Sequence, residues 1–357
     1  MIENNKKRLE YIDAMRGFAI LFIVFGHLPL VYGTHSSLID FPAFIKLPVF
    51  FFISGFVFNS ERMISGGLKT CVSKFRQLII PAVFFCAIYL LVNKIDIYTC
   101  ITHRFKCGYW FTFKLFEFII IQYLWELLAM RLKIDKSKIV YFVGPICTAL
   151  IFYVLSTQAA TERLGIVSGV VGTRLLRYYL YFVVGRLIRL HFDELLQYKY
   201  KNVFVSVIIV GFMLMAIFDY GLNINLSGLM FHIKTIIFEL LALLSIFVLF
   251  YKKRTYFSSS SRASKAITFI GRRTLDIYLL YYFFLPKDLS IFGNYFVNHP
   301  VPILEFTFSS IVTILVVAVC LIVSEILRQS AFCRKWLLGQ NKKLIRIELC
   351  YQKLKIG

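Results

Sequence analysis

Acidic residues are scarce in this chain, with 19 Asp and Glu among 357 residues against 41 Lys and Arg. Charge of either sign is thin, at 17% of residues, where a soluble globular domain carries about a quarter. With 19 Gly and 8 Pro the chain is too poor in both for a collagenous or linker-like polymer. It also has too little polarity for disorder. What it has instead is apolar bulk: 59% hydrophobic residues, a mean hydropathy of +0.73, 38 Phe and 21 Tyr. The formal net charge of +22 is not gathered on a polar surface, as a nucleic-acid binder requires. It sits in short breaks beside long apolar runs, so nucleic acid is excluded as a partner. No Gly-rich phosphate loop is present. This is the composition of an integral membrane protein.

An apolar stretch of about 20 residues crosses the hydrocarbon core as a helix. Such stretches occur at roughly 12–32, 42–59, 77–93, 109–130, 138–156, 175–191, 203–219, 230–251, 274–292 and 303–327. The expected fold is therefore an all-α polytopic membrane protein, a bundle of about ten transmembrane helices. Lys and Arg stay on the cytoplasmic side of short loops. With the N-terminus inside, 30 of the 41 basic residues fall in inside segments and 8 outside or at outer helix ends. The other three, Arg16, Lys114 and Lys234, lie within spans. Both termini are then cytoplasmic. The first apolar run follows NNKKRLE but contains Asp13 and Arg16 and lacks a small-residue cleavage site, so no cleavable signal peptide is expected. No repeat at solenoid or transporter scale is visible. The expected organisation is a membrane domain over 1–330 and a basic cytoplasmic tail over 331–357 that lies on the anionic inner leaflet.

Charged groups within a span are costly and point to function. The first span reads YIDAMRGFAILFIVFGHLPL, with Asp13, Arg16 and His27 as its ionisable residues. Eleven positions at about 100° each make about three turns plus 20°, so a continuous helix carries Arg16 and His27 on one face, roughly 16 Å apart. Asp13 precedes Arg16 by three positions and is placed to pair with it. This face runs from the cytoplasmic headgroup level at Arg16 to the membrane interior at His27. A guanidinium suits phosphate, and an imidazole suits proton transfer near neutrality. The plainer alternative has Arg16 snorkelling to headgroups and His27 bonding a neighbouring helix.

Asp13–His27, DAMRGFAILFIVFGH, resembles the first-helix signature of the acyltransferase-3 family, an Arg, ten residues, then a His. LPVFFFISGF (47–56) resembles the second-helix run in which aromatics precede Ser-Gly, here Ser54 and Gly55. KFRQLIIP (74–81) is similar to the basic, Pro-terminated start of helix three, with Lys74 and Gln77 where the family often has two Arg, and Arg76 between them. YWFTFKLFE (109–117) resembles the fourth-helix Trp-Phe segment, and GRRTLDIYLLY (271–281) a late motif that commonly ends in His, where this chain has Tyr281. The five occur in order over about residues 8 to 330. Within the family the pattern is most similar to the sugar O-acetylase branch.

The resemblance implies an O-acyltransferase of the bacterial inner (cytoplasmic) membrane. Such an enzyme moves an acyl group, usually acetyl from acetyl-CoA, to a hydroxyl of a cell-envelope glycan such as capsule, O-antigen or exopolysaccharide. Acyl-CoA enters as donor substrate, and no permanently bound cofactor and no metal are expected. His27 and Arg16 are the expected catalytic residues, with Arg16, Lys74 and Arg76 on the CoA phosphates. Asp13, Ser54, Gly55, Trp110, Glu117, Tyr278 and Tyr281 give support to substrate or structure. Ser54 and the backbone at Gly55 line the reaction centre or face its oxyanion, and Glu117 orients the acceptor or pairs with Lys114. Asp276 is expected to snorkel or pair between helices, and Trp110 and Tyr178, Tyr179 and Tyr181 to form an interfacial belt. Cys100 and Cys107 share an outer loop and are candidates for a disulfide. Partners beyond donor, acceptor and lipid bilayer, whether a second copy or polysaccharide-biosynthesis proteins, stay open. The competing class is a transporter or flippase of a glycan or acyl carrier that performs no chemistry.

Overall fold

The computed structural model describes residues 9–32, 43–136, 138–221, 228–259, 261–299 and 301–340. Lys6, Lys7 and Arg8 of the inside count, and the tail from 341 onward, lie outside the described residues. Among the described residues every regular element is a helix. In chain order these are α1 (Glu10–Phe25), α2 (Pro29–Tyr32), α3 (Ala43–Phe56), α4 (Ser60–Asn93), α5 (Ile97–Thr102) and α6 (Trp110–Arg131). They continue with α7 (Ile139–Leu155), α8 (Gln158–Val171), α9 (Tyr179–Leu190), α10 (Phe192–Gln197), α11 (Lys201–Gly221) and α12 (Gly228–Lys252). The last five are α13 (Arg254–Phe257), α14 (Arg262–Arg272), α15 (Thr274–Phe284), α16 (Ser290–Asn298) and α17 (Pro302–Gln329).

Among the described residues, three helices are long and apolar enough to cross a membrane alone: Ser60–Asn93, Met230–Lys252 and Pro302–Leu327. Ile139–Leu155 and Ala160–Val171 reach that length together but meet at 101°. Ile45–Phe56, Lys201–Ile217 and Thr274–Phe284 are apolar but shorter. Large apolar side chains stand on the outside, Leu91 at 79% exposure and Ile139 at 85% among them, which a lipid solvent tolerates and water does not. The chain is an all-α membrane protein.

Helix boundaries depart from the apolar runs where the backbone forces them to. The first run breaks after Phe25: His27 N–H bonds Val24 O and Leu28 N–H bonds Phe25 O, a tightened turn, and Pro29 then opens α2. The run expected to reach 292 stops at Phe284, two residues before Pro286, because the residue preceding a proline is pushed out of helical conformation. The basic segment before 77 is itself helical. Asn59 accepts from Arg62 N–H to start α4 on this basic stretch, and Gly67 (φ +47°) breaks the helix before the apolar part.

The chain forms two compact units, each drawn from three segments of the sequence. The first takes Met1–Ile53, His191–Thr274 and Leu285–Val317, the second Ser54–Leu190, Leu275–Phe284 and Ala318–Gly357. In the first, α1 packs on α12 through Tyr11 against Tyr251 (5.7 Å between centroids) and Phe18 against Phe250 (5.5 Å). Phe25, Leu28, Tyr32 and Phe296 form a buried cluster, and Tyr32 hydrogen-bonds Ser309 at 2.8 Å. In the second, α4 meets α6 through Phe75 and Phe116. The Tyr278 hydroxyl on α15 donates to Gly108 O (2.8 Å) and accepts from Phe111 N–H (3.1 Å), sealing the start of α6. After α17, a short turn of Cys333–Leu337 sets Trp336 under the Arg76 guanidinium at 5.1 Å.

Candidate active site

Asp13, Arg16 and His27 all belong to the first unit. Asp13 is buried at 2% exposure, and two guanidiniums flank its carboxylate: Arg16 at 3.6 Å, three positions on, and Arg272 at 3.5 Å, from the end of α14. Arg272 also reaches Glu10 at 3.5 Å. These separations are beyond ordinary charge-assisted hydrogen bonds. They are ion pairs whose cations keep part of their surface open, 30% for the Arg16 side chain and 43% for Arg272. The approach of α14 depends on glycines facing each other. A Cβ on Gly271 would lie 1.7 Å from Asp13 O, and one on Gly17 would lie 2.3 Å from Ile267 O, so only bare backbone allows the contact. Two sequence motifs far apart in the chain are thereby brought together, the first-helix signature and the late GRRT motif.

His27 sits in the tightened turn between α1 and α2 rather than on a continuous helix. At about 120° per residue in such a turn, its phase relative to Arg16 departs from the helical-wheel value by a few tens of degrees. Its Nδ1 lies 2.6 Å from Ile23 O. A carbonyl oxygen only accepts, so Nδ1 carries the hydrogen and, in the neutral ring, Nε2 carries the lone pair. Lys46, on α3, is buried and donates to Gly26 O at 3.1 Å, one residue from the imidazole. Lys46 is one of the eight basic residues that the charge count assigns outside or to outer helix ends, and that count carries no sign of this contact.

The remaining expected residues belong to the second unit. Gly55 is a close-approach site, since a Cβ there would lie 1.9 Å from Phe182 O on α9, and Ser54 precedes it half-buried. Lys74 donates to Gln77 at 3.4 Å, and Arg76 covers Trp336. Glu117 pairs with Lys114 at 2.7 Å. Trp110 is buried against Tyr178, stacked at 6.0 Å. Tyr178, Tyr179 and Tyr181 are buried as well, so these aromatics pack inside the unit and do not form the expected interfacial belt. Tyr278 ties α15 to the α6 start, and Tyr281 is buried with its ring 4.2 Å from Tyr282. Asp276 is held by Arg328 and by Ser324 (2.5 Å), the pairing between helices expected of a buried carboxylate. Cys100 and Cys107 are thiols, not a disulfide; Cys100 has the Cys86 sulfur 3.6 Å away, and burial pushes the Cys107 thiol up to about 12.

One constellation escaped the sequence altogether. Glu126 on α6 is fully buried and takes Arg186 of α9 at 3.2 Å, Lys136 at 3.2 Å and the Tyr141 hydroxyl. Arg186 in turn donates to Phe58 O (3.3 Å) and to Ser60, gripping the bend that follows Gly55. The only available signal was Gln122 and Glu126 four positions apart in an apolar run.

A profile of the acyltransferase-3 family, described as an acyltransferase domain, matches residues 9–325. The chain belongs to the acyltransferase-3 family. No curated protein and no solved structure matches the chain. Family membership makes this a membrane acyltransferase. The matched span begins at Leu9, one residue before α1, and ends at Glu325 on α17, so it takes in the helix bearing Arg16 and the turn bearing His27.

Proposed function

We propose that this acyltransferase is a ten-span enzyme of the bacterial inner membrane with cytoplasmic termini, which transfers acetyl from acetyl-CoA to a hydroxyl of a cell-envelope glycan. The observation that carries the reading is the His27 tautomer: with Nδ1 bound to the Ile23 carbonyl, the lone pair is on Nε2, as a general base requires. Nε2 takes the proton of the acceptor hydroxyl as its oxygen attacks the thioester carbonyl. The C–S bond breaks, and the imidazolium returns the proton to the departing CoA thiolate. The Lys46 ammonium, bound to the carbonyl of Gly26 next to His27, stabilises the oxyanion that forms between these steps. Arg16, oriented by Asp13, binds CoA phosphate at the cytoplasmic end, with Lys74 and Arg76 as further phosphate ligands.

The test is release of CoA thiol by the purified full-length protein with acetyl-CoA, with and without a glycan hydroxyl acceptor. Acceptor-dependent thiol release that disappears in His27→Ala supports the reading. Glycan translocation without thiol consumption would make the protein a transporter instead.

A further inference from the structure

A cavity of about 430 Å³ opens in the second unit between the segment after α5, the helix α8 and the short 3-10 turn Thr173–Tyr178. His103, Arg104, Thr161, Glu162, Ser168 and Arg174 line it, a set made of cations, hydroxyls and one carboxylate. None of them belongs to the Arg16–His27 segment or to the Glu126 network.

The walls are held firmly. A Cβ on Gly169 would lie 1.8 Å from Thr102 O, so α5 and α8 touch backbone to backbone. Lys106 bridges the same two elements, donating to Ile101 O and to Gly169 O (3.1 Å). Ser168 and Thr173 hydroxyls bond at 2.6 Å across the floor. Behind Arg104 the backbone turns through two non-glycine left-handed residues, Lys106 (φ 44°) and Cys107 (φ 52°), a conformation that surrounding contacts must enforce.

The two guanidiniums are the feature without a structural explanation. Neither Arg104 nor Arg174 makes an ion pair with any described residue; Arg174 donates weakly to Thr161 at 3.4 Å, and Arg104 lies over the Phe105 ring. Burial first, and repulsion from the like charge of Arg174 second, pull the Arg104 pKa down from its ordinary value. An anion between them relieves that repulsion. The Glu162 carboxylate, with the lone pairs left on Thr161 and Ser168 after their bonds to Gln158 O and Thr173, accepts from a sugar ring's hydroxyls.

We propose that this cavity is a glycan-binding site that takes an oxyanion-bearing glycan, with Arg104 and Arg174 on the anion and Thr161, Glu162 and Ser168 on the ring hydroxyls. The proposal rests on the glycan acyltransferase reading, and on the topology that puts residues 94–108 and 157–174 outside the membrane. It narrows that reading from any glycan to an acidic one.

Binding is measured without acyl-CoA, on the full chain in nanodiscs of zwitterionic lipid. The probes are an oligomer of galacturonic acid, a glycerol-phosphate-substituted oligosaccharide and a neutral glucose oligomer of equal length. Wild type should bind at least one anionic probe about tenfold more tightly than the neutral one. Arg104→Gln, and Arg104→Gln with Arg174→Gln, should remove most of that preference at an unchanged thermal midpoint. Equal binding of all three probes by wild type, or a preference that survives the double substitution, overturns the proposal. So does loss of glycan binding when phosphatidylglycerol replaces part of the lipid, since the occupant is then a headgroup. Selective binding with no thiol release in any condition upholds the glycan site and removes the transferase chemistry, so the two readings fail separately.

Discussion

Asp13 and Glu126 are both buried carboxylates flanked by two cations, yet they are built for different tasks. Around Asp13 the nitrogen–oxygen distances are 3.5 and 3.6 Å and both arginines are partly exposed. Around Glu126 both distances are 3.2 Å, Arg186 is 6% exposed though Lys136 is 38% exposed, and the Tyr141 hydroxyl donates to the carboxylate. Charges in a dry shell stabilise only when fully paired, and removing one partner leaves the other stranded. A loosely flanked, partly hydrated pair loses little when one cation turns towards a ligand. The first arrangement suits a site that exchanges partners with substrate. The second suits a clamp on the bend after Gly55.

The largest effect should separate the two clusters by activity. His27→Ala is expected to lower acyl transfer about 10²–10⁴-fold with the detergent melting midpoint unchanged; comparable activity in the variant would remove His27 from the mechanism. Next, Arg186→Ala should destabilise by about 3–5 kcal/mol, read as a sharp fall in the melting midpoint. Arg186→Leu with Glu126→Leu should recover most of that loss, whereas a clamp essential to the fold would not recover. Third, Gly271→Ala should cost about 1–3 kcal/mol and also weaken acyl-CoA binding, because α14 must back away from Asp13. An alanine variant with wild-type KM would break the link between the glycine contact and the Arg272 position. The smallest effect belongs to Glu117→Gln, where the amide oxygen still accepts from the buried Lys114 ammonium and the loss is about 0.5–1.5 kcal/mol. A change in acceptor KM there, with unchanged stability, would sharpen its role from ion pair to substrate contact.

Much of this was readable in the chain, and the limits are physical. Hydropathy found α4, α12 and α17 because an apolar run long enough for the bilayer is a local property. It overran α15 because the length of the apolar run hid the effect of Pro286 on the residues before it. Arg16, Asp13 and their pairing were legible from a spacing of three on one helix. Arg272 at Asp13 was not, since nothing in a linear pattern says which helices cross. Arg186 is one of the 30 basic residues that the charge count assigns to inside segments, since that count sees sign and not partner, and its partner Glu126 lies 60 positions away. Tyr178, Tyr179 and Tyr181 read as a belt because an aromatic cluster at a span end looks the same whether it faces headgroups or a neighbouring helix.

The Tyr278 hydroxyl that closes the start of α6 also sets an order of events during synthesis. Its two partners, Gly108 and Phe111, leave the ribosome 170 and 167 residues before it does. At about 5–20 residues per second, the α6 end stays open for roughly 10–30 s. Through that interval the α6 amides near Phe111 depend on water, lipid headgroups or an insertion factor for hydrogen bonds. The second unit therefore matures only after most of the first has been translated, and a ribosome stalled before residue 278 would leave a recognisably unfinished protein in the membrane.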